Sequence, residues 1–264
     1  MNIKKIAASL CVFTTLMVTA VSNAGEQLKV FILAGQSNMV GHARAHTIAT
    51  LYASDSPRDK ALLELVIKGD DISRDVLENQ LEAAQTLDQL TGGISNSKVK
   101  DLEDGPEKTA LEKKVEGLKS AHQAYKDRIS SACVVSDRVY INSIAARNKK
   151  AGKLAIGFGA DPSKIGPGYS FGLSIAEKVD ENAVSLAQRA AAKSTDFHGR
   201  VRSVESYLDY SNYSHSVFEK GWPEHFHEWD TVGSDRPYHY LGSGAFFVRL
   251  GDSFAKAMHE CMAK

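Results

Sequence analysis

The fold is predicted mainly from one stretch, Leu28-Lys29-Val30-Phe31-Ile32-Leu33-Ala34-Gly35-Gln36-Ser37-Asn38-Met39. Six of its first seven residues are apolar, which is typical of a buried strand in a parallel sheet. Gly35 ends the predicted strand, and ligands of open α/β sheets bind beyond the carboxyl ends of the strands. Ser37 is therefore a candidate nucleophile, and its backbone N–H is available to an oxyanion. The alternative is an ordinary turn, because Gly, Ser and Asn are common turn residues.

Length and charge restrict the class of protein. The chain has 264 residues, with Lys+Arg and Asp+Glu balanced at 32 each, which suits one domain and gives no indication of a nucleic-acid partner. Residues 1–24 are predicted to be a secretory signal peptide, since Lys4 and Lys5 precede an apolar run that ends in Ser22-Asn23-Ala24. The alternative, an uncleaved anchor, would need a longer apolar run. The mature chain, 25–264, is then expected to be a single secreted or periplasmic domain with no membrane segment.

Hydrophobic periodicity predicts several elements in the mature chain. Helices over 74–90 and 106–129 form an antiparallel helical hairpin, inserted at about 74–129, for which a scaffold role is favoured over a lid. Further helices are predicted over 171–179, 182–193 and 244–262, strands over 134–141, 153–157 and 201–207, and a loop over 211–228. These are few strands for a complete parallel sheet, because such a sheet alternates strands with helices. Cys133 and Cys261 either form one disulfide or remain free thiols.

Histidines raise the question of a metal site. His42 and His46 are four residues apart, a spacing that suits metal binding on a helix, but no carboxylate or cysteine accompanies them in the sequence. The run His225-Phe226-His227-Glu228 is an unspecific pattern for a loop. The sequence therefore predicts no metal.

A serine hydrolase needs a serine, a histidine base and a carboxylate that orients the histidine. Here Ser37 lies near the start of the chain, and His239 lies just before the last helix with Asp235 close by. Three segments of the chain resemble motifs of a known family of hydrolases. They are Gly35-Gln36-Ser37-Asn38-Met39, Ile165-Gly166-Pro167 with Phe171-Gly172, and Tyr238-His239-Tyr240-Leu241-Gly242-Ser243. The chain resembles the SGNH hydrolases, and within them the sialate O-acetylesterase or carbohydrate esterase 6 group.

The resemblance implies a three-layer α/β/α fold with a parallel sheet, and hydrolysis of acetyl esters on carbohydrates without a metal or organic cofactor. Ser37 would attack the acetyl carbonyl, and His239 would take the serine proton and return it to the leaving hydroxyl. Gly35, Gln36 and Asn38 would line the oxyanion and substrate site. The acid of this superfamily usually stands three residues before the histidine, where this chain has Arg236. Asp235 is therefore the expected acid, and Asp230 is the second choice.

The chain also departs from the family in its middle part. Relatives carry a Trp-Gly-Gly-like turn and a Gln-Gly-x-Asn-like turn that complete the oxyanion hole, and neither occurs between 179 and 201. The loss of one oxyanion donor slows catalysis by about 10²–10³. The sequence therefore predicts a shortened family member with weak or no esterase activity and low stability. The alternatives are a non-catalytic carbohydrate-binding or scaffold protein, and a product of internal deletion with no independent function.

Overall fold

Helices dominate the fold. The computed structural model describes residues 29–144, 148–178, 202 and 204–263. Its α-helices are α1 (Ser37–Val40), α2 (Pro57–Val66), α3 (Arg74–Thr91), α4 (Ser97–Lys100), α5 (Pro106–Ala132), α6 (Pro167–Lys178), α7 (Asn212–Phe218), α8 (Phe226–Val232) and α9 (Gly244–Met262). Its 3-10 helices are Ala45–Ala53, Gly93–Ser95, Ser206–Asp209 and Pro237–Gly242. The strands are β1 (Ala43–Arg44), β2 (Tyr140–Ser143), β3 (Lys150–Lys153) and β4 (Lys164–Ile165).

The predicted parallel sheet, and with it the three-layer α/β/α fold, is wrong. Across the described ranges, β1 pairs with β4 and β2 pairs with β3, and both two-stranded sheets are antiparallel. The opening stretch has no strand pairing over 29–35, and its Val30 and Ile32 side chains are exposed. Phe31 instead packs edge-on against Phe171 of α6, with ring centroids 5.5 Å apart. An apolar run becomes a strand only where neighbouring strands bond its backbone. Here the four described strands pair among themselves, and none of them bonds the opening stretch.

Other predicted elements have mixed outcomes. Of the strand predicted over 134–141, only the last two residues lie in β2. The strand predicted over 153–157 is wrong, because only Lys153 lies in a strand, at the end of β3. The loop predicted over 211–228 contains α7 and the start of α8. The predicted signal peptide over 1–24, the helix over 182–193 and residues 201 and 203 of the strand over 201–207 lie outside the described residues. The end of that last strand is a 3-10 helix.

The long amphipathic helices are confirmed, and local signals set their ends. The side chain of Ser73 caps α3 by accepting a hydrogen bond from the backbone of Val76, and Gly92 ends α3 in the left-handed conformation with φ of 74°. Pro106 begins α5, and Ser243 caps α9. The Ser243 cap explains why α9 begins at its predicted residue.

The core lies between α9, α6 and the 3-10 helix Ala45–Ala53. Phe246, Phe247 and Ile48 are fully buried in its largest cluster. At the crossing of α6 and α9, a Cβ added to Gly251 would lie 2.0 Å from Ser170 Oγ, so a side chain there has no room. The two helices of the predicted hairpin also contribute to the core, through Leu77 of α3 and Ile129 of α5.

Cys133 and Cys261 are free thiols in this structure, and Cys133 is buried whereas Cys261 is partly buried. Burial raises the pKa of the Cys133 thiol to about 12. No helix within the described residues combines the length and apolar character needed to cross a membrane.

Candidate functional site

A close contact between two glycines, Gly41 and Gly166, fixes the position of His42, which belongs to the candidate site described below. Gly41 follows α1 with φ of 93°, and a Cβ built on it would lie 2.0 Å from the Cα of Gly166. Only glycine fits at such a contact, so the chain leaving α1 lies against the segment that enters α6. The next residues form β1, whose Arg44 is the register partner of Lys164 in β4. His42 and Lys164 are thereby carried to the same edge of the protein.

The opposite side of the site is a tight loop, residues 233–243, which we call the His239 loop. Tyr240, Leu241 and Gly242 all have positive φ, at 50°, 60° and 57°. This conformation is costly for residues with a side chain, and such strain is concentrated at functional sites. The loop is closed by backbone bonds from Ser234 and Asp235 to the Leu241 carbonyl, at 2.8 and 3.1 Å. Tyr240 stacks on Phe246 of α9, with ring centroids 4.0 Å apart, which ties the loop to the core.

Asp235 is the centre of the site. Its Oδ1 lies 3.1 Å from His239 Nδ1, and its Oδ2 lies 3.1 Å from His42 Nδ1. The two imidazole rings stack with their centroids 3.9 Å apart and their planes 13° apart. Lys164 Nζ lies 3.6 Å from Asp235 Oδ2. We refer to His42, Lys164, Asp235 and His239 as the Asp235 cluster.

Electrostatics fix the proton positions in this cluster. Burial acts to raise the pKa of Asp235, but hydrogen bonds from the Arg236 backbone N–H and from His239, with the charge of Lys164, outweigh it and lower this pKa below its ordinary value. Asp235 is therefore a carboxylate at neutral pH and can only accept hydrogen bonds. Each Nδ1 that faces it must carry a proton. Burial, followed by the neighbouring His239 and Lys164, lowers the pKa of His42.

Ser37, the predicted nucleophile, is exposed at the first position of α1. Asn38 Nδ2 donates to the carbonyl oxygen of Tyr238 at 3.3 Å, which joins the segment of Ser37 to the His239 loop. In this part of the described chain the Ser37 hydroxyl makes no hydrogen bond to His239. Gly35 and Gln36 are exposed, and the Gln36 carbonyl accepts the first backbone bonds of α1.

Asp230, the second choice for the acid, lies in a different cluster. It is buried, and its Oδ2 accepts hydrogen bonds from His122 Nε2 at 3.0 Å and from Lys126 Nζ at 2.8 Å. His46 is also buried there, and its Nε2 donates to the Asp230 backbone carbonyl at 2.7 Å. His42 and His46 thus belong to separate clusters. The geometry selects Asp235 as the carboxylate partner of His239.

The run that contains His225 and His227 has a structural role. His227 Nδ1 lies 2.7 Å from Asp88 Oδ1, and the same carboxylate accepts the backbone N–H groups of His227 and Glu228 at the start of α8. Glu228 is buried and accepts from Lys220 at 2.5 Å. A carboxylate at a helix N-terminus satisfies otherwise unpaired N–H groups, so Asp88 caps α8 from α3.

Sequence reasoning missed the role of His42 beside Asp235 and the presence of Lys164. The sequence did single out His42, but its carboxylate partner is 193 residues away. A comparison of the chain with protein-family profiles, curated proteins and solved structures found no match.

Proposed function

We propose that this protein is a serine esterase that removes acetyl groups from carbohydrates, with Ser37 as nucleophile, His239 as base and Asp235 as the orienting acid. The observation that carries the proposal is the 3.1 Å contact between His239 Nδ1 and Asp235 Oδ1. An ionised Asp235 holds the Nδ1 proton, so Nε2 of the same ring is left as the basic nitrogen. This is the tautomer that a general base for a serine hydroxyl requires.

The nucleophile segment supports the same assignment. The hydrogen bond from Asn38 to the Tyr238 carbonyl joins the residue after Ser37 to the residue before His239. In apo proteins a catalytic serine–histidine bond is often long and tightens only when substrate binds. The backbone N–H groups of Ser37 and Asn38 bond no carbonyl in the described ranges, so both are free to stabilise an oxyanion.

The substrate class follows from the motif resemblance and from one surface feature. Tyr238 is 66% exposed beside His239, and its ring lies 4.4 Å from the imidazole, centroid to centroid. An exposed aromatic ring offers a flat apolar face with a polar tip, which suits the apolar face of a sugar ring. The expected rate is low, because the family's two additional oxyanion turns are absent from the sequence.

The test separates an activated serine from an ordinary one. We expect the protein to hydrolyse p-nitrophenyl acetate and to release acetate from acetylated xylo-oligosaccharides, and Ser37→Ala to lose both activities. Ser216→Ala, at another exposed serine, is the matched control and keeps them. A fluorophosphonate probe should label Ser37 even when turnover is slow, because one covalent event is enough.

The proposal would be overturned if the probe does not label Ser37 and the protein either hydrolyses neither substrate or hydrolyses both as fast as Ser37→Ala does. Retention of such an inactive protein on acetylated glycan would instead support the non-catalytic carbohydrate-binding alternative. Fast turnover that depends on Ser37 would leave the esterase assignment in place and refute the expected impairment.

A further inference from the structure

The Asp235 cluster presents three metal-ligating atoms to one point. The ligand atoms of His42, Asp235 and His239 all lie within 4.8 Å of one another. Both imidazoles direct Nδ1 toward the same carboxylate, one at each oxygen, and each distance is 3.1 Å. The three side chains are 20%, 18% and 14% exposed, so the group is sheltered but still reachable from solvent.

These distances match the edges of a metal coordination sphere as well as they match hydrogen bonds. Zn²⁺ binds imidazole nitrogen and carboxylate oxygen at about 2.0–2.2 Å, which places two ligand atoms of a tetrahedron about 3.3 Å apart. Each Nδ1 already lies at such a spacing from one oxygen of Asp235, His42 from Oδ2 and His239 from Oδ1, so a carboxylate that binds the ion through both oxygens would serve both rings. Because the three ligand atoms lie within 4.8 Å of one another, no pair has to close by more than about 1.5 Å to reach this tetrahedral spacing.

We infer that His42, Asp235 and His239 form a binding site for a divalent transition metal ion, with Zn²⁺ the ion best matched to two imidazoles and one carboxylate. On binding, the proton of each ring moves from Nδ1 to Nε2, so both imidazoles remain neutral. Three protein ligands leave a fourth position to water or to a ligand. Lys164 opposes the ion, because its Nζ lies 3.6 Å from Asp235 Oδ2.

The site has a consequence for the hydrolase that rests on the proposed function. With the metal on Nδ1 and the proton on Nε2, His239 has no free nitrogen to accept the proton of Ser37. Zn²⁺ should therefore inhibit hydrolysis that depends on Ser37. Binding of the ion itself does not require Ser37, and Ser37→Ala should bind Zn²⁺ like the unmodified chain.

The experiment measures metal uptake directly. We expect Zn²⁺ to bind with a stoichiometry of one in a calorimetric titration, and Co²⁺ to give visible absorption typical of a low-coordinate site. His42→Phe keeps a flat ring against His239 and removes one ligand, so affinity should fall at least about 100-fold. His259→Phe, the same change at an exposed histidine of α9, should leave affinity unchanged. Lys164→Gln removes the opposing charge and should tighten binding severalfold.

Two results would overturn the inference: no saturable uptake of Zn²⁺ or Co²⁺ by the full chain, or equal affinity in His42→Phe. If circular dichroism shows that His42→Phe does not fold, Lys164→Gln decides, and unchanged affinity in that variant refutes the site. The esterase proposal is tested separately, by comparing hydrolysis by the unmodified protein with hydrolysis by Ser37→Ala. Equal rates would refute the esterase proposal and leave the metal site untouched.

Discussion

His46 is predicted to make the stability of the protein depend on pH. This histidine is 3% exposed, and its Nε2 donates to the Asp230 carbonyl at 2.7 Å. Burial lowers its pKa from 6.5 to about 4, because the charged ring would lose its hydration, and the nearby charge of Asp230 offsets this only in part. The folded protein therefore keeps His46 neutral over a range in which the unfolded chain protonates it.

The size of the effect follows from this difference in pKa. A shift from 6.5 to about 4 corresponds to about 3 kcal/mol, at about 1.4 kcal/mol for each pH unit. Between these two pH values the unfolded chain binds a proton that the folded protein does not bind. The free energy of unfolding therefore falls as the pH drops from 6.5 toward about 4, and His46 adds no further loss below that range.

Urea unfolding of the protein and of His46→Gln tests this. The Gln amide can still donate to the carbonyl but does not titrate. Between about pH 7 and about pH 4.5, the unmodified chain should lose about 2–3 kcal/mol more stability than His46→Gln. His259→Gln, at an exposed histidine, should behave like the unmodified chain. Parallel pH profiles for the protein and His46→Gln, or an imidazole pKa near 6.5 for His46 by NMR, would refute the reasoning.

Two substitutions in the packed interior extend these predictions. Asp230→Asn should lower the free energy of unfolding by about 3–5 kcal/mol in urea titrations, because it removes the negative charge that the buried His122 and the partly buried Lys126 share. Asp104→Asn, at an exposed aspartate, should have little effect, and equal stabilities of the two variants would contradict this role of Asp230. Gly251→Ala should lower the melting temperature and reduce the free energy of unfolding by about 1–3 kcal/mol. The reason is that the new methyl group would lie 2.0 Å from Ser170 Oγ and 2.2 Å from the Pro167 carbonyl oxygen. Gly117→Ala, on α5 where a new methyl group meets open space, should instead stabilise the protein by up to about 1 kcal/mol. A destabilised Gly117→Ala together with an unchanged Gly251→Ala would contradict this account of the packing at the two glycines.

Long helices with their own end signals could be predicted from the sequence. The apolar stripe of α9 and its Ser243 cap are local, as are the Gly92 stop of α3 and the Pro106 start of α5. The opening stretch could not be assigned in the same way. Its apolar run is compatible with either a strand or irregular chain packed on a helix, and the choice depended on neighbours elsewhere in the chain. The helices α7 and α8 have seven residues each, too few for a clear period.

The candidate site was predictable only where its residues are neighbours in the sequence. His239 and Asp235 are four residues apart, so their pairing within one loop could be expected. The sequence favoured Asp235 over Asp230, but it did not show that α5 carries His122 and Lys126 to Asp230 and so engages that second carboxylate in a different cluster. The proximity of His42 depends on the contact between Gly41 and Gly166, which no local pattern indicates.

The contact between His42 and Asp235 also affects how the protein folds. It joins positions 193 residues apart, and closing a loop of that length in an unfolded chain costs about 5 kcal/mol of entropy. Such distant contacts form late, after the local helices have removed much of the chain's freedom. During synthesis the cluster cannot assemble until the segment before α9 has left the ribosome. A functional assay of the Asp235 cluster would therefore also report whether the two ends of the chain have come together.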